Sequence, residues 1–131
     1  MHTDEHRYAD LTHKIIGCAY AVANTLGAGF LEKVYENALV YELRKAGLHV
    51  AQQESIKVYY DGMVVGEYVA DIVVEEEILI ELKACQALNE VFIAQCLNYL
   101  KATHKPLCLL MNFGKQRIEI KRLAGPSLPT P

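Results

Sequence analysis

The sequence predicts an α+β fold with a mixed central sheet flanked by helices, in the order α-α-β-β-β-α-β-β. Three observations carry that expectation. Apolar residues recur at helical spacing as far as Gly47 and give way to strand-like runs from Glu54. An Asp61-Gly62 pair stands between two such runs as a hairpin signal. Residues 78–83 are apolar on both faces except at Glu81 and Lys83, the pattern of a central strand covered on both sides.

The first helix is expected from Ala9 to Leu26, where Leu11, Ile15, Cys18, Ala19, Val22 and Leu26 recur at steps of three and four. Gly27-Ala28-Gly29 interrupts it. A second helical stripe follows through Leu31, Val34, Tyr35, Ala38, Leu39, Leu43 and Ala46, and Gly47 ends it. Strands are expected at Glu54–Tyr60, Met63–Val74 and Ile78–Lys83, with Glu75-Glu76-Glu77 as a solvated turn between the last two. A third helix is expected from about Leu88 to Lys101, with Leu88, Val91, Phe92, Gln95, Tyr99 and Leu100 on one side. Strands Leu107–Asn112 and Arg117–Arg122 complete the series.

A chain of 131 residues suits one domain, expected over residues 1–124, with a Pro- and Gly-rich disordered tail over 125–131. With 52% hydrophobic and 22% charged residues the chain can bury a core. Its apolar runs are too short to span a bilayer, and its polar, acidic start does not resemble a secretory signal, so a soluble cytoplasmic protein without membrane partners is expected. Cys18, Cys85, Cys96 and Cys108 form no C-x-x-C pair and read as buried free thiols. His2 and His6 have helical spacing, but lack the Glu of a metalloprotease motif and sit at an expectedly loose terminus. The net charge of −3 does not favour nucleic-acid binding, although carboxylates that hold cations make the formal charge more negative than that of the loaded protein.

Polar residues are most informative where the sheet should be buried. Strand alternation puts Asp71 on the face of Val69 and Val73, and Glu81 and Lys83 on the face of Leu79. If the acidic turn is a three-residue loop centred on Glu76, Asp71 faces Glu81 with Cβ atoms roughly 4.5–5.5 Å apart. Facing carboxylates need a compensating charge, either Lys83 or a bound cation, and hard oxygen ligands suit Mg²⁺ or Mn²⁺. Counting back from the Asp61-Gly62 turn sets Glu54 opposite Val69, diagonal to Asp71, as a supporting acid. On the second helix Glu32 falls within the apolar arc and points inward, as does Glu42.

Gly29-Phe30-Leu31-Glu32-Lys33-Val34-Tyr35 resembles the G-x-x-E-x-x-Y signature of the GxxExxY protein family, a branch of the PD-(D/E)XK nuclease superfamily. The resemblance covers about residues 9–123. Asp71 with Glu81-Leu82-Lys83 is similar to the superfamily's D…E-x-K core, and Gln95 with Tyr99 to its Q-x-x-x-Y helix. Tyr59-Tyr60-Asp61-Gly62 and Leu110-Met111-Asn112-Phe113-Gly114 also resemble stretches typical of the family. The resemblance implies a restriction-endonuclease-like fold and a nuclease acting on nucleic acid, DNA ahead of RNA, with Mg²⁺ or Mn²⁺ as cofactor. It implies Asp71, Glu81 and Glu32 as metal ligands and Lys83 as the charge that orients water or stabilises phosphate. Gln95 joins these as a catalytic candidate, with Tyr35, Glu54 and Tyr99 supporting.

Each reading has a plainer alternative. Asp71, Glu81 and Lys83 could form a structural ion pair, Gln95 and Tyr99 ordinary helix positions, and Glu32 and Tyr35 helix neighbours packed on the sheet. Gly27-Ala28-Gly29 does not make a dinucleotide loop, since it follows a helix and Glu32 stands where the third glycine belongs. A nuclease-fold binding or regulatory module without turnover is the rival function, and a homodimer remains open.

Overall fold

A computed structural model describes residues 4–126, with side chains from Arg7 onward. The elements are α1 (Asp4–Leu26), α2 (Glu32–Lys45), β1 (Val50–Tyr60), β2 (Met63–Val74), β3 (Ile78–Lys83), α3 (Glu90–Thr103), β4 (Leu107–Asn112) and β5 (Glu119–Ala124). This is the expected order. The strands form one sheet in the order β1-β2-β3-β4-β5, antiparallel except for the parallel β3–β4 pair that α3 connects. No helix among the described residues is long and apolar enough to cross a membrane.

Strand alternation divides the core into two layers. Ile78, Ile80 and Leu82 of β3 and Leu107, Leu109 and Met111 of β4 face Ile15, Ala19 and Val22 of α1 and Tyr35, Leu39 and Leu43 of α2. Leu79, Cys108 and Leu110 face Cys96 and Leu100 of α3 on the other side. Two of the four free thiols, Cys96 and Cys108, are therefore buried, while Cys18 and Cys85 are only partly covered.

Several boundaries differ from expectation because of particular contacts. The helix α1 starts at Asp4 instead of Ala9, and its first turns meet the acidic turn: Arg7 pairs with Glu77, and the Tyr8 hydroxyl donates to Glu77 at 3.3 Å. Leu31 precedes α2 with an extended backbone and is 82% exposed, and Val34 is also exposed. The buried arc of α2 is Tyr35, Glu36, Leu39, Val40 and Leu43, so the stripe lies rotated from the one expected. Asn89 caps α3 by accepting the Phe92 N–H at 3.0 Å, which leaves Leu88 outside the helix and Val91 on its exposed side. The strand β5 begins two residues late because Ile118 turns into the core and Asn112 ties the loop below it. Gly125 is buried and donates to the Pro106 carbonyl at 2.7 Å, so the expected tail does not begin there; residues 127–131 and His2 lie outside the described residues.

Two turns set the register of β2. Asp61 and Gly62 both have positive φ, 52° and 79°, the backbone that a two-residue hairpin requires, and Tyr60 pairs with Met63. A bulge between Val58 and Tyr59 then shifts the register, so that Glu54 pairs with Ala70 and not with Val69. At the other end the Val74 carbonyl accepts from Glu77 N–H at 3.0 Å across Glu75 and Glu76, both with positive φ. This turn is less solvated than expected: Glu75 accepts from the His49 N–H at 2.6 Å and Lys105 donates to the Glu76 carbonyl at 2.7 Å.

The buried side chain of Asn112 joins the end of β3 to the start of α3. Its Oδ1 accepts from the N–H groups of Cys85 and Gly114 at 3.0 and 2.9 Å, and its Nδ2 donates to Glu119 at 3.1 Å. Glu119 also accepts from the Leu88 N–H at 3.1 Å. A Cβ at Gly114 would fall inside the backbone of Ala84 and Cys85, whereas one at Gly66 would meet only Val58 Cβ at 4.0 Å. Gly114→Ala is expected to destabilise the fold by about 1–3 kcal/mol and Gly66→Ala by much less, measured by urea unfolding. Equal midpoints for the two variants would contradict this role for Gly114.

Candidate active site

The three-residue acidic loop gives the register that brings Asp71 opposite Glu81, since Ile72, Val73 and Val74 pair with Ile80, Leu79 and Ile78. The backbone ladder stops one position short of the two acids. Side chains take over there: Glu81 Oε2 accepts from the Asp71 N–H at 3.0 Å, and Asp71 Oδ2 accepts from the Leu82 N–H at 2.9 Å. Each carboxylate thus satisfies a backbone donor of the opposite strand, and β2 and β3 fork around the pair.

The fork begins where β2 changes face. Ala70 and Val73 both pack on the α3 side although three residues apart, so alternation breaks at Asp71. Val69, half exposed, does not share a continuous face with Asp71 as strict alternation would require. Opposite the break, Gln53 of β1 has φ of 56°.

Burial and mutual repulsion govern the electrostatics. Glu81 is 9% exposed, and burial followed by the charge of Asp71 pushes its pKa up to about 8, against the opposing pull of the Asp71 N–H and Lys83. Burial also raises the pKa of Asp71, opposed by the Leu82 N–H and Lys83. Glu32 is exposed along one side, yet the protein around its other side, and then the charge of Asp71, raise its pKa as well. Lys83 opposes the shift of all three acids. Its ammonium lies 4.5 Å above the centre of the Phe92 ring and, among the described residues, forms no ion pair with these carboxylates. A closed structural ion pair is therefore not what holds the trio.

The remaining candidates divide. Tyr35 is 1% exposed, donates to the Gly27 carbonyl at 2.6 Å, accepts from the Phe30 N–H at 3.1 Å and stacks on Phe113 at 4.8 Å. It braces the entry to α2, and so the placement of Glu32, against the end of β4. Tyr99 stacks on Tyr68 at 3.4 Å, and its pKa is raised by burial and then by Glu81. Gln95 is exposed, and Glu54, paired with Ala70 through the bulge, is exposed as well. Glu42 is paired with Lys45 at 3.0 Å at the rim of the helix and does not point into the core.

The inward acid of α2 is Glu36, 2% exposed, which the sequence reading missed. Its signal was its place on the arc of Tyr35, Leu39, Val40 and Leu43, hidden by anchoring the stripe on Leu31. Tyr68, whose buried hydroxyl has no hydrogen-bond partner, was also missed, because in a strand it looks like any half-buried aromatic.

Among the described residues no group of three or more His, Cys, Asp and Glu side chains is arranged to hold a metal ion, so Glu32 does not complete a cage with Asp71 and Glu81. The donor chemistry nevertheless fits a hard divalent cation. Mg²⁺ commonly takes only one or two carboxylates, and Asp71 Oδ1 and Glu81 Oε1 are free of backbone hydrogen bonds. A cation beside them would reverse the raised proton affinity of both.

A family model described as the PD-(D/E)XK nuclease superfamily matches residues 9–123. Comparison with curated proteins and with solved structures returns no match.

The shift of Glu81 has a consequence for stability. Without a cation, the folded protein keeps on Glu81 a proton that the unfolded chain releases near pH 4.5, so stability falls as pH rises from there towards 8 and levels off above. Melting curves in EDTA from about pH 5 to about pH 9 should show this decline in the wild type and a flatter profile in Glu81→Gln. Parallel profiles would show that Glu81 ionises normally.

Proposed function

The chain belongs to the PD-(D/E)XK nuclease superfamily, and from that premise we propose that it is a divalent-metal-dependent nuclease of the GxxExxY branch, hydrolysing phosphodiester bonds in nucleic acid, DNA ahead of RNA. The observation that carries this reading is the Asp71–Glu81 fork with Lys83 two residues further along β3. Nucleases of this superfamily typically use divalent metals.

Asp71 Oδ1 and Glu81 Oε1 are the oxygens available to hold Mg²⁺ or Mn²⁺, with Glu32 close enough electrostatically to add a third negative charge. When bound, such a cation lowers the pKa of water and balances charge on phosphoryl oxygens. Glu81 must shed its proton for the pair to act as ligands, which makes cation binding pH-dependent in the direction of tighter binding at higher pH. Lys83 supplies a point charge for the negative charge that develops on the phosphate during attack by water. Its ammonium rests over the Phe92 ring at the start of α3, and its carbonyl accepts from the Phe113 N–H at 2.8 Å, so the charge is carried by the rigid centre of the sheet.

The rival reading is a binding module on the same fold, favoured by the net charge of −3. One set of assays separates the two. The wild type should cleave DNA with Mg²⁺ or Mn²⁺ and not in EDTA. Lys83→Ala and Asp71→Asn should lower the rate by on the order of 10²–10³ or more while melting as cooperative folded proteins. Asparagine is chosen at 71 because its amide oxygen can still accept from the Leu82 N–H. Absence of cleavage of single- and double-stranded DNA and RNA by the wild type with both metals would falsify the nuclease reading.

A further inference from the structure

Glu36 is buried on the inner side of α2, where an unpaired carboxylate would be costly. Its oxygens accept from Lys33 Nζ at 2.9 Å, from Gln52 Nε2 at 2.5 Å and from Gln53 Nε2 at 3.0 Å. Gln52 and Gln53 are consecutive residues of β1, and in a regular strand their side chains would point to opposite faces. Both reach the same carboxylate because the backbone at Gln53 takes φ of 56°. A non-glycine residue keeps such a conformation only where its surroundings over-determine it. The Gln53 amide also lies 3.5 Å from Asp71 Oδ1, at the point where β2 leaves the ladder.

We propose that Glu36 and Gln53 form a positioning relay for Asp71, in which the buried carboxylate of α2 holds the Gln53 amide and that amide orients the Asp71 carboxylate. Asp71 Oδ2 is thereby committed to the Leu82 N–H, and Oδ1 is presented in a fixed direction. An amide group carries two protons, one for each acid, so Gln53 separates two carboxylates that would otherwise repel across the gap. Burial and the charge of Glu36 both raise the pKa of Asp71, and the Gln53 hydrogen bond lowers it, as expected of a group placed between them. The proposal rests on the nuclease reading only for its effect on cation binding; the orientation of Asp71 can be measured without it.

The test uses the full chain carrying Gln53→Gly or Gln53→Asn. Glycine takes positive φ freely and deletes the amide; asparagine also tolerates that backbone, but its amide is one methylene too short to span both acids. In EDTA, hydrogen exchange at the Leu82 amide should accelerate about tenfold or more in both variants, with the exchange of the other β3 and β4 amides unchanged and the Tm lowered only by the loss of one donor to Glu36. Titration with Mn²⁺ should show a Kd raised by about 10-fold to 100-fold, the range for lost support behind a metal ligand. Wild-type exchange at Leu82 in both variants would overturn the relay. So would a lowered Tm with faster exchange throughout the sheet, which would make Gln53 a general clamp. If the wild type neither binds Mn²⁺ nor cuts nucleic acid while Leu82 exchange still rises in the variants, the nuclease reading fails and the relay stands.

Discussion

Asp71 and Glu81 face each other where the sheet's own hydrogen bonds run out, and each reaches across to a backbone donor of the opposite strand. Two carboxyl groups inside a protein are tolerated only with partners close by, and here the partners are the strands themselves. Most of the surrounding structure can be understood from that requirement. The positive-φ turn of Glu75 and Glu76 sets the register, and the change of face in β2 opens the fork. Tyr35 and Phe113 brace α2 over one side, while Phe92 and the Tyr68–Tyr99 stack close the other.

Much of the fold was legible because it rests on short-range signals. Asp61-Gly62 announced its own turn, and β2, β3 and β4 were bounded correctly from apolar runs and the turn residues between them. The opposition of Asp71 and Glu81 followed from counting residues across the acidic loop. Counting failed on the other side of β2, where one bulge set Glu54 opposite Ala70 and not Val69. A bulge leaves little mark on the apolar pattern, since Val64 and Val65 are both apolar and only the fold decides which of them is passed over.

The helix α2 misled for a different reason. Leu31 and Val34 look like core residues, but they sit at an exposed helix start, and the sheet selected the arc that includes Glu36. Tertiary packing, not residue type, chose the buried stripe. Likewise, no property of glutamine in a strand announces a left-handed backbone, so the part played by Gln53 emerged only from its paired contacts. Of the Q-x-x-x-Y pair, the tyrosine stacks on Tyr68 and the glutamine is exposed.

Because the two acids also close the sheet, folding alone would hold them in place, apart from any chemistry they perform. A descendant without that chemistry would still meet a penalty in folding for replacing Asp71 by a residue that cannot accept, since the Leu82 N–H would be left without a partner. Lys83 carries no such duty towards the backbone, as its ammonium rests on an aromatic ring and, among the described residues, bonds to no backbone group. Within a lineage built on this fork, the lysine is therefore the member of the trio that should drift first wherever the proposed reaction is abandoned.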